Sequence, residues 1–151
     1  MTTMQSPVLI MGPMHEPTLK TLEATYTCHR LWTAVDKPAL FKQLADTCKV
    51  VVTNGGRGIT AAEMAQLPKL ELVDCFGVGV DAIDVEYARS RRIAVTNTPD
   101  VLTDTTAELA ILLLLMATRR AGEGERELRA GKWIGWRPTH LMGQSLEGKV
   151  L

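Results

Sequence analysis

The sequence lacks an excess of charge of either sign. Lysine and arginine together number 17, aspartate and glutamate together also number 17, and the formal net charge at pH 7 is zero. Without a net positive field, a protein has little long-range attraction for nucleic acid or for an anionic membrane surface. The balance therefore argues against both partners and favours a small molecule or another protein.

Cysteine is scarce as well. The three cysteines, Cys28, Cys48 and Cys75, form no C-x-x-C pair, and Cys28 and Cys75 lie in apolar stretches typical of buried strands. This pattern predicts core thiols in a reducing compartment rather than a disulfide framework. No spacing of cysteine, histidine and carboxylate residues predicts a metal site.

Long hydrophobic runs are also missing. The longest apolar run, 109–117, is well short of the roughly 20 residues that a membrane-spanning helix needs. Residues 1–9 lack the basic region, apolar stretch and small-residue cleavage site of a secretion signal. These absences predict a protein of the cytoplasm that makes no membrane contact.

What the chain does contain is an alternation of apolar, strand-like runs with segments of helical period. Strands are predicted at 7–11, 28–32, 50–53, 70–76 and 93–96. Helices are predicted between them, and Asp36 and Thr60 are the expected N-caps of two. Such alternation is typical of α/β proteins, and five strands predict a flavodoxin-like, doubly wound parallel sheet.

The rest of the chain has a different pattern. A long helix is predicted at 103–120, with Thr105 and Glu108 spaced as in a capping box. Its leucine-rich centre is apolar on nearly every side, so more than one neighbour must cover it. Residues 121–148 contain Trp133 and Trp136 but little apolar pattern with which to pack on themselves. An arm that folds on a second copy of the chain would explain this segment.

A glycine-rich turn follows the fourth predicted strand. Gly77, Gly79 and Ala82 occupy the marked positions of G-x-G-x-x-A, which matches the dinucleotide-binding fingerprint. That role needs a helix starting within the turn, whereas here Asp81 and Asp84 follow at once and would repel a phosphate. The exposed amides of such a turn suit a small carboxylate, although a tight turn chosen only for its geometry remains an alternative.

A second polar loop, N-G-G-R-G at 54–58, follows the third predicted strand. In a doubly wound sheet it could face the Gly77–Gly79 turn, where its amides and the Arg57 guanidinium would favour an anion. A glycine-rich loop with one arginine can equally be an exposed turn. The pairing of the two loops, rather than either loop alone, predicts an anion site.

Three blocks of sequence are similar to one known family. They are F-G-V-G-V-D-A-I-D from position 76, R-I-A-V-T-N-T-P-D-V-L-T-D-T-T-A-E-L-A from position 92, and L-R-A-G-K-W-I-G-W-R-P from position 128. The chain resembles the D-isomer-specific 2-hydroxyacid dehydrogenases, and the T-P-D-V-L-T-D-T-T-A-E-L-A block is most similar to the glyoxylate/hydroxypyruvate reductases. The resemblance is strong from residue 50 onwards and rests on fold alone before that.

The resemblance implies a domain organisation. Residues 1–102 would form the flavodoxin-like substrate-binding domain and 103–120 an interdomain hinge helix. Residues 121–148 would form the dimerisation arm of a homodimer, and 149–151 would begin a nucleotide-binding Rossmann domain. In this family the active site lies in the cleft between the substrate-binding and Rossmann domains.

The resemblance also implies roles for single residues. The backbone amides of Val78 and Gly79 would bind the substrate carboxylate, and the loop at 54–58 would close the other side of that pocket. The loop residues concerned are Asn54, Gly55, Gly56 and Arg57. Thr106 would contact the phosphates or ribose of the cofactor, NADPH or NADH. Trp136 would either reach the partner subunit's active site or serve only as an interface anchor.

The implied reaction reduces a small 2-keto acid, such as glyoxylate or hydroxypyruvate, to a D-2-hydroxy acid. The family's catalytic arginine, glutamate and histidine are expected beyond Leu151, so the chain by itself is expected to be inactive. His15, His29 and His140 match none of the family's motifs. Two alternatives remain: a stand-alone module that binds a small carboxylate or a protein without catalysis, and an interaction role like that of corepressors, which resemble these dehydrogenases.

Overall fold

The computed structural model describes residues 6–150, which divide into two compact units between Val101 and Leu102. Residues 1–5 belong to the N-terminal segment examined for a secretion signal, and residue 151 to the expected start of a further domain. Both lie outside the described residues.

The first unit is built on a five-stranded parallel sheet in the order β2-β1-β3-β4-β5. Its strands are β1 (Val8–Ile10), β2 (Cys28–Arg30), β3 (Val50–Asn54), β4 (Leu72–Phe76) and β5 (Ala94–Thr96). All four pairings are parallel, and the order is that of the flavodoxin-like folds. The predicted fold class is therefore confirmed.

Four helices connect these strands: α1 (Glu16–Thr25), α2 (Lys37–Leu44), α3 (Ala61–Ala65) and α4 (Val85–Ser90). Asp36 caps α2, because its Oδ1 accepts a hydrogen bond of 2.9 Å from the Ala39 amide. Thr60 caps α3 in a reciprocal capping box with Glu63. Both predicted caps are confirmed. The second strand is shorter than predicted, because the chain turns into a 3-10 helix over Leu31–Thr33.

Alternate strand residues point to opposite faces of the sheet and build two cores. Leu9, Val51 and Val73 belong to the larger cluster, whereas Val8 and Val52 belong to the smaller one beside Leu19 of α1.

Two of the three cysteines belong to the larger core cluster. Cys48 and Cys75 are fully buried, as predicted for core thiols, but Cys28 is only half-buried in β2. Burial raises the pKa of the Cys75 thiol, which keeps it protonated and able to donate a hydrogen bond.

The second unit contains α5 (Thr103–Thr118) and α6 (Ala121–Arg129). The predicted long helix is thus present, but the predicted capping box is wrong. The helix begins at Thr103, directly after Leu102, so Thr105 lies inside its first turn, where the Thr105 hydroxyl donates to the Leu102 carbonyl at 3.1 Å. Leu102 supplies no side-chain cap.

Apolar periodicity does not predict α6, because this helix is mostly charged. It is stabilised by ion pairs along its own surface, such as Arg120–Glu123 at 2.6 Å and Glu125–Arg129 at 2.8 Å.

The arm at 121–148 also packs on its own unit, which its sequence pattern does not predict. The Gln144 amide donates to the Thr118 carbonyl at 2.8 Å, so the end of the arm folds back on the last turn of α5.

The apolar side chains of α5 remain open. No residue of this helix is buried, and Leu109, Leu112 and Leu113 are each more than half exposed, at 53%, 51% and 55%. Trp133 and Trp136 in the arm are 51% and 82% exposed. Such a concentration of exposed apolar surface is typical of an interaction surface.

Gly58 yields a stability prediction. Its φ of +56° is left-handed, and a Cβ there would lie 1.8 Å from the Ala82 carbonyl oxygen. Replacing Gly58 with alanine is expected to lower the free energy of unfolding by about 3 kcal/mol, from backbone strain and overpacking together. Denaturant unfolding measures the change.

Gly131 provides the matched control. Its φ of +65° is also left-handed, but nothing lies within 4 Å of its Cβ position. Gly131→Ala should therefore cost only the backbone strain, about 1 kcal/mol. Equal losses in the two variants would show that the close approach of Gly58 to Ala82 is not important.

Candidate functional site

The two glycine loops meet at the carboxyl edge of the sheet. β3 and β4 are neighbours in register, with Asn54 opposite Phe76, so the loops that follow them leave the sheet side by side. A Cβ on Gly55 would lie 3.0 Å from the Gly79 carbonyl oxygen. The predicted meeting of the two loops is confirmed, at the edge where ligands bind in sheets of this type.

A short bridge fixes the distance between the loops. Ile59 pairs with Ile83 as parallel strands do, and the Ile59 amide donates to the Ala82 carbonyl at 3.1 Å. Both isoleucines are buried. The buried Thr53 hydroxyl adds a hydrogen bond of 2.7 Å to the Gly58 carbonyl. The loops are therefore tied to each other as well as to their strands.

The carbonyl groups of the turn at 77–79 are all engaged within the domain. The Gly77 carbonyl accepts from the Thr98 amide at 3.0 Å, and the Val78 carbonyl accepts from Asn97 Nδ2 at 2.8 Å. The Gly79 carbonyl accepts from the Cys75 thiol at 3.4 Å. The sequence pattern did not predict that Asn97, Thr98 and Cys75 hold these carbonyls. The fifth strand lies beside the fourth, however, which places T-N-T-P next to the turn.

The amides of the same turn are available. Across residues 6–150, the backbone N–H groups of Val78 and Gly79 donate no hydrogen bond, and both residues are exposed. Two neighbouring free amides on a glycine turn form a concave donor pair suited to an anion. These are the two residues whose amides the family resemblance assigns to the substrate carboxylate.

The loop at 54–58 is more internally bonded than predicted. Asn54 Oδ1 accepts from the amides of Gly56 and Arg57, at 3.1 and 2.9 Å, and Asn54 Nδ2 donates to the Pro13 carbonyl at 3.2 Å. Asn54 thus forms an Asx turn that shapes the loop. The Gly56 amide is already occupied within that turn.

Arg57 is also engaged. Its guanidinium forms an ion pair with Glu63, the carboxylate of the α3 capping box. Burial of Glu63 raises its pKa, but the hydrogen bonds and charge of Arg57 and the hydrogen bonds of Thr60 outweigh burial, so the pKa lies below its ordinary value of 4.5. The positive charge of Arg57 is therefore largely compensated, and the field at the turn is weaker than the sequence suggests.

The structure gives no support to a nucleotide at this turn. α4 begins only at Val85, and Asp84 is its N-cap, accepting from the Tyr87 amide at 2.9 Å. The helix does not start within the glycine turn, as a pyrophosphate site requires. The Asp81 carboxylate lies 3.4 Å from the Cβ position of Gly79, which adds negative charge there.

The two remaining predicted site residues lie in the second unit. Thr106 is exposed in the first turn of α5, and its amide donates to the Leu102 carbonyl at 3.0 Å. Trp136 lies in the irregular segment after α6. His140 Nε2 lies 2.7 Å from a Glu127 carboxylate oxygen, and Arg137 donates to the other oxygen at 2.9 Å. His140 therefore belongs to the packing of the arm.

Residues 6–150 contain neither a cluster of metal ligands nor a membrane-spanning helix. No group of three or more histidine, cysteine, aspartate or glutamate side chains is arranged to hold a metal ion. None of the helices is both long and apolar enough to span a bilayer.

The fold and the site define a class: a flavodoxin-like domain with a glycine turn at the carboxyl edge of its sheet. A family model for the D-isomer specific 2-hydroxyacid dehydrogenase catalytic domain matches residues 8–143. The chain belongs to this family, which confirms the resemblance noted in its sequence.

Individual relatives are reductases of the glyoxylate type. The chain is 41% identical over 126 residues to glyoxylate/hydroxypyruvate reductase A of Arabidopsis thaliana, covering 83% of this chain and 40% of that protein. It is 35% identical to the glyoxylate reductase of Pyrococcus horikoshii over 155 residues, covering 98% of this chain and 46% of that protein. The chain thus spans less than half the length of these relatives.

The chain is also similar to a solved structure of a reductase. It is the NADPH-dependent glyoxylate/hydroxypyruvate reductase of Sinorhizobium meliloti in complex with NADP and malonate. The two share 34% sequence identity and superpose with a TM-score of 0.75, covering 86% of this chain and 40% of that one.

The ion pair between Arg57 and Glu63 predicts a pH-dependent stability. Because the pKa of Glu63 is lowered by folding, its stabilising effect is complete above its ordinary value of 4.5 and is lost as the pH falls through the lower value of the folded state. Glu63→Gln is expected to cost about 1 kcal/mol at neutral pH and less near about pH 3. Denaturant unfolding at both pH values measures the difference.

Glu71→Gln is the control, since Glu71 pairs with Lys49 at 2.8 Å with its side chain 65% exposed. Exposed pairs contribute little to stability. A Glu63→Gln cost that stays constant across the pH range would contradict the prediction.

Proposed function

We propose that this chain is the substrate-binding and dimerisation part of an NAD(P)H-dependent reductase of small 2-keto acids. The observation that carries the proposal is the pair of free, exposed amides at Val78 and Gly79. They lie at the ligand-binding edge of the sheet, and they are the residues that the family resemblance assigns to the substrate carboxylate. Glyoxylate and hydroxypyruvate are the proposed substrates, because the relatives named above are reductases of these acids.

The role of these residues is positioning. Two amides bind the two oxygens of a carboxylate through charge-assisted hydrogen bonds, which fixes the keto carbon relative to the sheet edge. Holding a reactant in this way removes part of the entropic cost of the reaction. The loop at 54–58, with Gly55 close to the turn, closes one side of the pocket.

The proposed reaction also needs groups that residues 6–150 do not supply. A bound NADPH or NADH would provide the hydride for the keto carbon. An arginine would stabilise the developing oxyanion, and a histidine oriented by a glutamate would protonate it. We place these three residues in the part of the enzyme that lies beyond this chain.

Cofactor contact within this chain is assigned to Thr106. Its hydroxyl lies in the exposed first turn of α5, where a hydroxyl and a helix N-terminus both favour a phosphate. The same turn also carries Asp104, whose negative charge is unfavourable for a phosphate. The Sinorhizobium meliloti relative carries NADP, which supports NAD(P) use without choosing between the two cofactors here.

We assign residues 103–120 to an interdomain hinge and 121–148 to the arm of a homodimer. The exposed leucines of α5 and the exposed tryptophans of the arm support this assignment, because a second copy would bury them. Trp136 would then lie against the partner subunit's active site. The three free cysteines support a cytoplasmic location, because thiols persist in a reducing compartment.

The same amides would also serve a carboxylate-binding module without catalysis. The match to reductases over most of this chain favours the enzyme. In either case the substrate site is the same, and binding can be measured on the chain as it stands.

Glyoxylate is expected to bind the chain at the turn. In a titration followed by ¹H–¹⁵N NMR, the amide resonances of Val78 and Gly79 should shift most, because their N–H groups form the new hydrogen bonds. Acetaldehyde, which lacks the carboxylate, is the control ligand and should shift neither. Perturbations that cluster elsewhere, or equal shifts with both ligands, would contradict the proposed site.

The chain is also expected to dimerise through the arm. Ile134, which is 80% exposed in the arm, should be buried in the dimer, so Ile134→Asp should raise the dissociation constant at least about tenfold. Analytical ultracentrifugation measures the change. Val35→Asp is the control, because Val35 is fully exposed but lies in the first unit. Equal weakening by both variants would place the interface elsewhere.

A further inference from the structure

We propose that Asn97 is a positioning residue that aims the Val78 and Gly79 amides at the substrate carboxylate, with Thr98 as its backbone partner. The inference rests on the proposed function, since it concerns how the same site is oriented. It adds a residue outside both glycine loops to the machinery of the site.

Two hydrogen bonds set the orientation of two peptide groups in the turn. In a trans peptide the N–H and the C=O point in opposite directions, and none of the described peptide bonds is cis. The Gly77 carbonyl is held by the Thr98 amide, and the Val78 carbonyl by Asn97 Nδ2. The N–H groups of Val78 and Gly79 must therefore both point away from residues 97 and 98, on the same side of the turn.

Among the described residues, no other hydrogen bond holds the Val78 carbonyl. A glycine on each side gives the turn wide backbone freedom, and Val78 lies between Gly77 and Gly79. The hydrogen bond from Asn97, at 2.8 Å, is the contact that fixes the peptide between Val78 and Gly79. Without it, this peptide could rotate and carry the Gly79 N–H out of line with that of Val78.

The Asn97 contact is of long range for an asparagine side chain. Asparagine usually bonds its own backbone within a few residues, whereas this side chain reaches a carbonyl 19 positions away. The following Thr98 precedes Pro99, which restricts Thr98 to extended backbone. A stiff segment thus presents one side-chain donor and one backbone donor to successive carbonyls of the turn.

Cys75 supports the far end of the same turn. Its buried thiol donates to the Gly79 carbonyl, so three successive carbonyls are held from inside the domain. Cys75 is part of the core, however, and its replacement would disturb packing. Asn97 is exposed, which makes it the residue whose role can be tested with the least effect on folding.

The test is a set of variants of the 151-residue chain, each titrated with glyoxylate by NMR. Asn97→Asp is isosteric but loses the donor, and its carboxylate repels the Val78 carbonyl. Asn97→Ala removes the side chain without adding charge. Both are expected to weaken glyoxylate binding about tenfold and to displace the Gly79 amide resonance in the ligand-free state.

Two further variants separate positioning from general damage to the strand. Asn97→Gln keeps an amide donor and should retain affinity within about threefold. Thr96→Val removes the hydrogen bond of 2.6 Å from Thr96 to Asp74, which lies on the neighbouring strand and does not touch the turn. It should leave the glyoxylate affinity unchanged, even if it lowers the stability of the chain.

The outcomes are distinct. Wild-type affinity in Asn97→Ala, or an equal loss in Thr96→Val, would overturn the positioning role while leaving the carboxylate site intact. Failure of the wild-type chain to bind glyoxylate at the turn would overturn the proposed function, and with it the role in binding. In that case the ligand-free Gly79 resonance of the variants would still show whether Asn97 orients the turn.

Discussion

The parallel pairing of β3 with β4 is the constraint on which the rest of the site depends. It places Asn54 opposite Phe76, so two loops separated by more than a dozen residues of chain begin at the same edge. The Ile59–Ile83 bridge and the close approach of Gly58 to Ala82 then hold the loops together. A one-residue change of register would move every side chain of β4 to the other face and separate the two loops.

The site that results is built from backbone rather than from charged side chains. The Arg57 charge is compensated by Glu63, and Asn54 is used to shape its own loop. The free donors are the amides of Val78 and Gly79. Backbone N–H groups cost no side-chain entropy on binding, provided that the turn is already oriented, and the contacts from Thr98, Asn97 and Cys75 supply that orientation.

The sequence predicted the fold well because strand alternation, caps and turns are local signals. Asp36 and Thr60 were identified as caps from their neighbours alone. The capping box at Thr105 was wrong because the helix already begins at Thr103, so Thr105 cannot be its N-cap. The helix α6 was missed because ion pairs rather than an apolar face stabilise it. The contacts of Arg57 with Glu63 and of Asn97 with Val78 could not be predicted. They depend on side-chain geometry across elements, which no spacing in the sequence encodes.

Anchoring through the main chain has a consequence for the side chain at position 78. Every residue except proline carries the same N–H group, so a change of side chain at position 78 would keep the backbone donor of the proposed carboxylate site. Val78 is 39% exposed, and its apolar side chain has no donor or acceptor with which to hold an anion. In the proposed site, a substitution at position 78 changes the shape of the pocket beside the carboxylate and leaves the N–H donor in place. A backbone anchor of this kind separates the binding of a carboxylate from the choice of side chain at the same position.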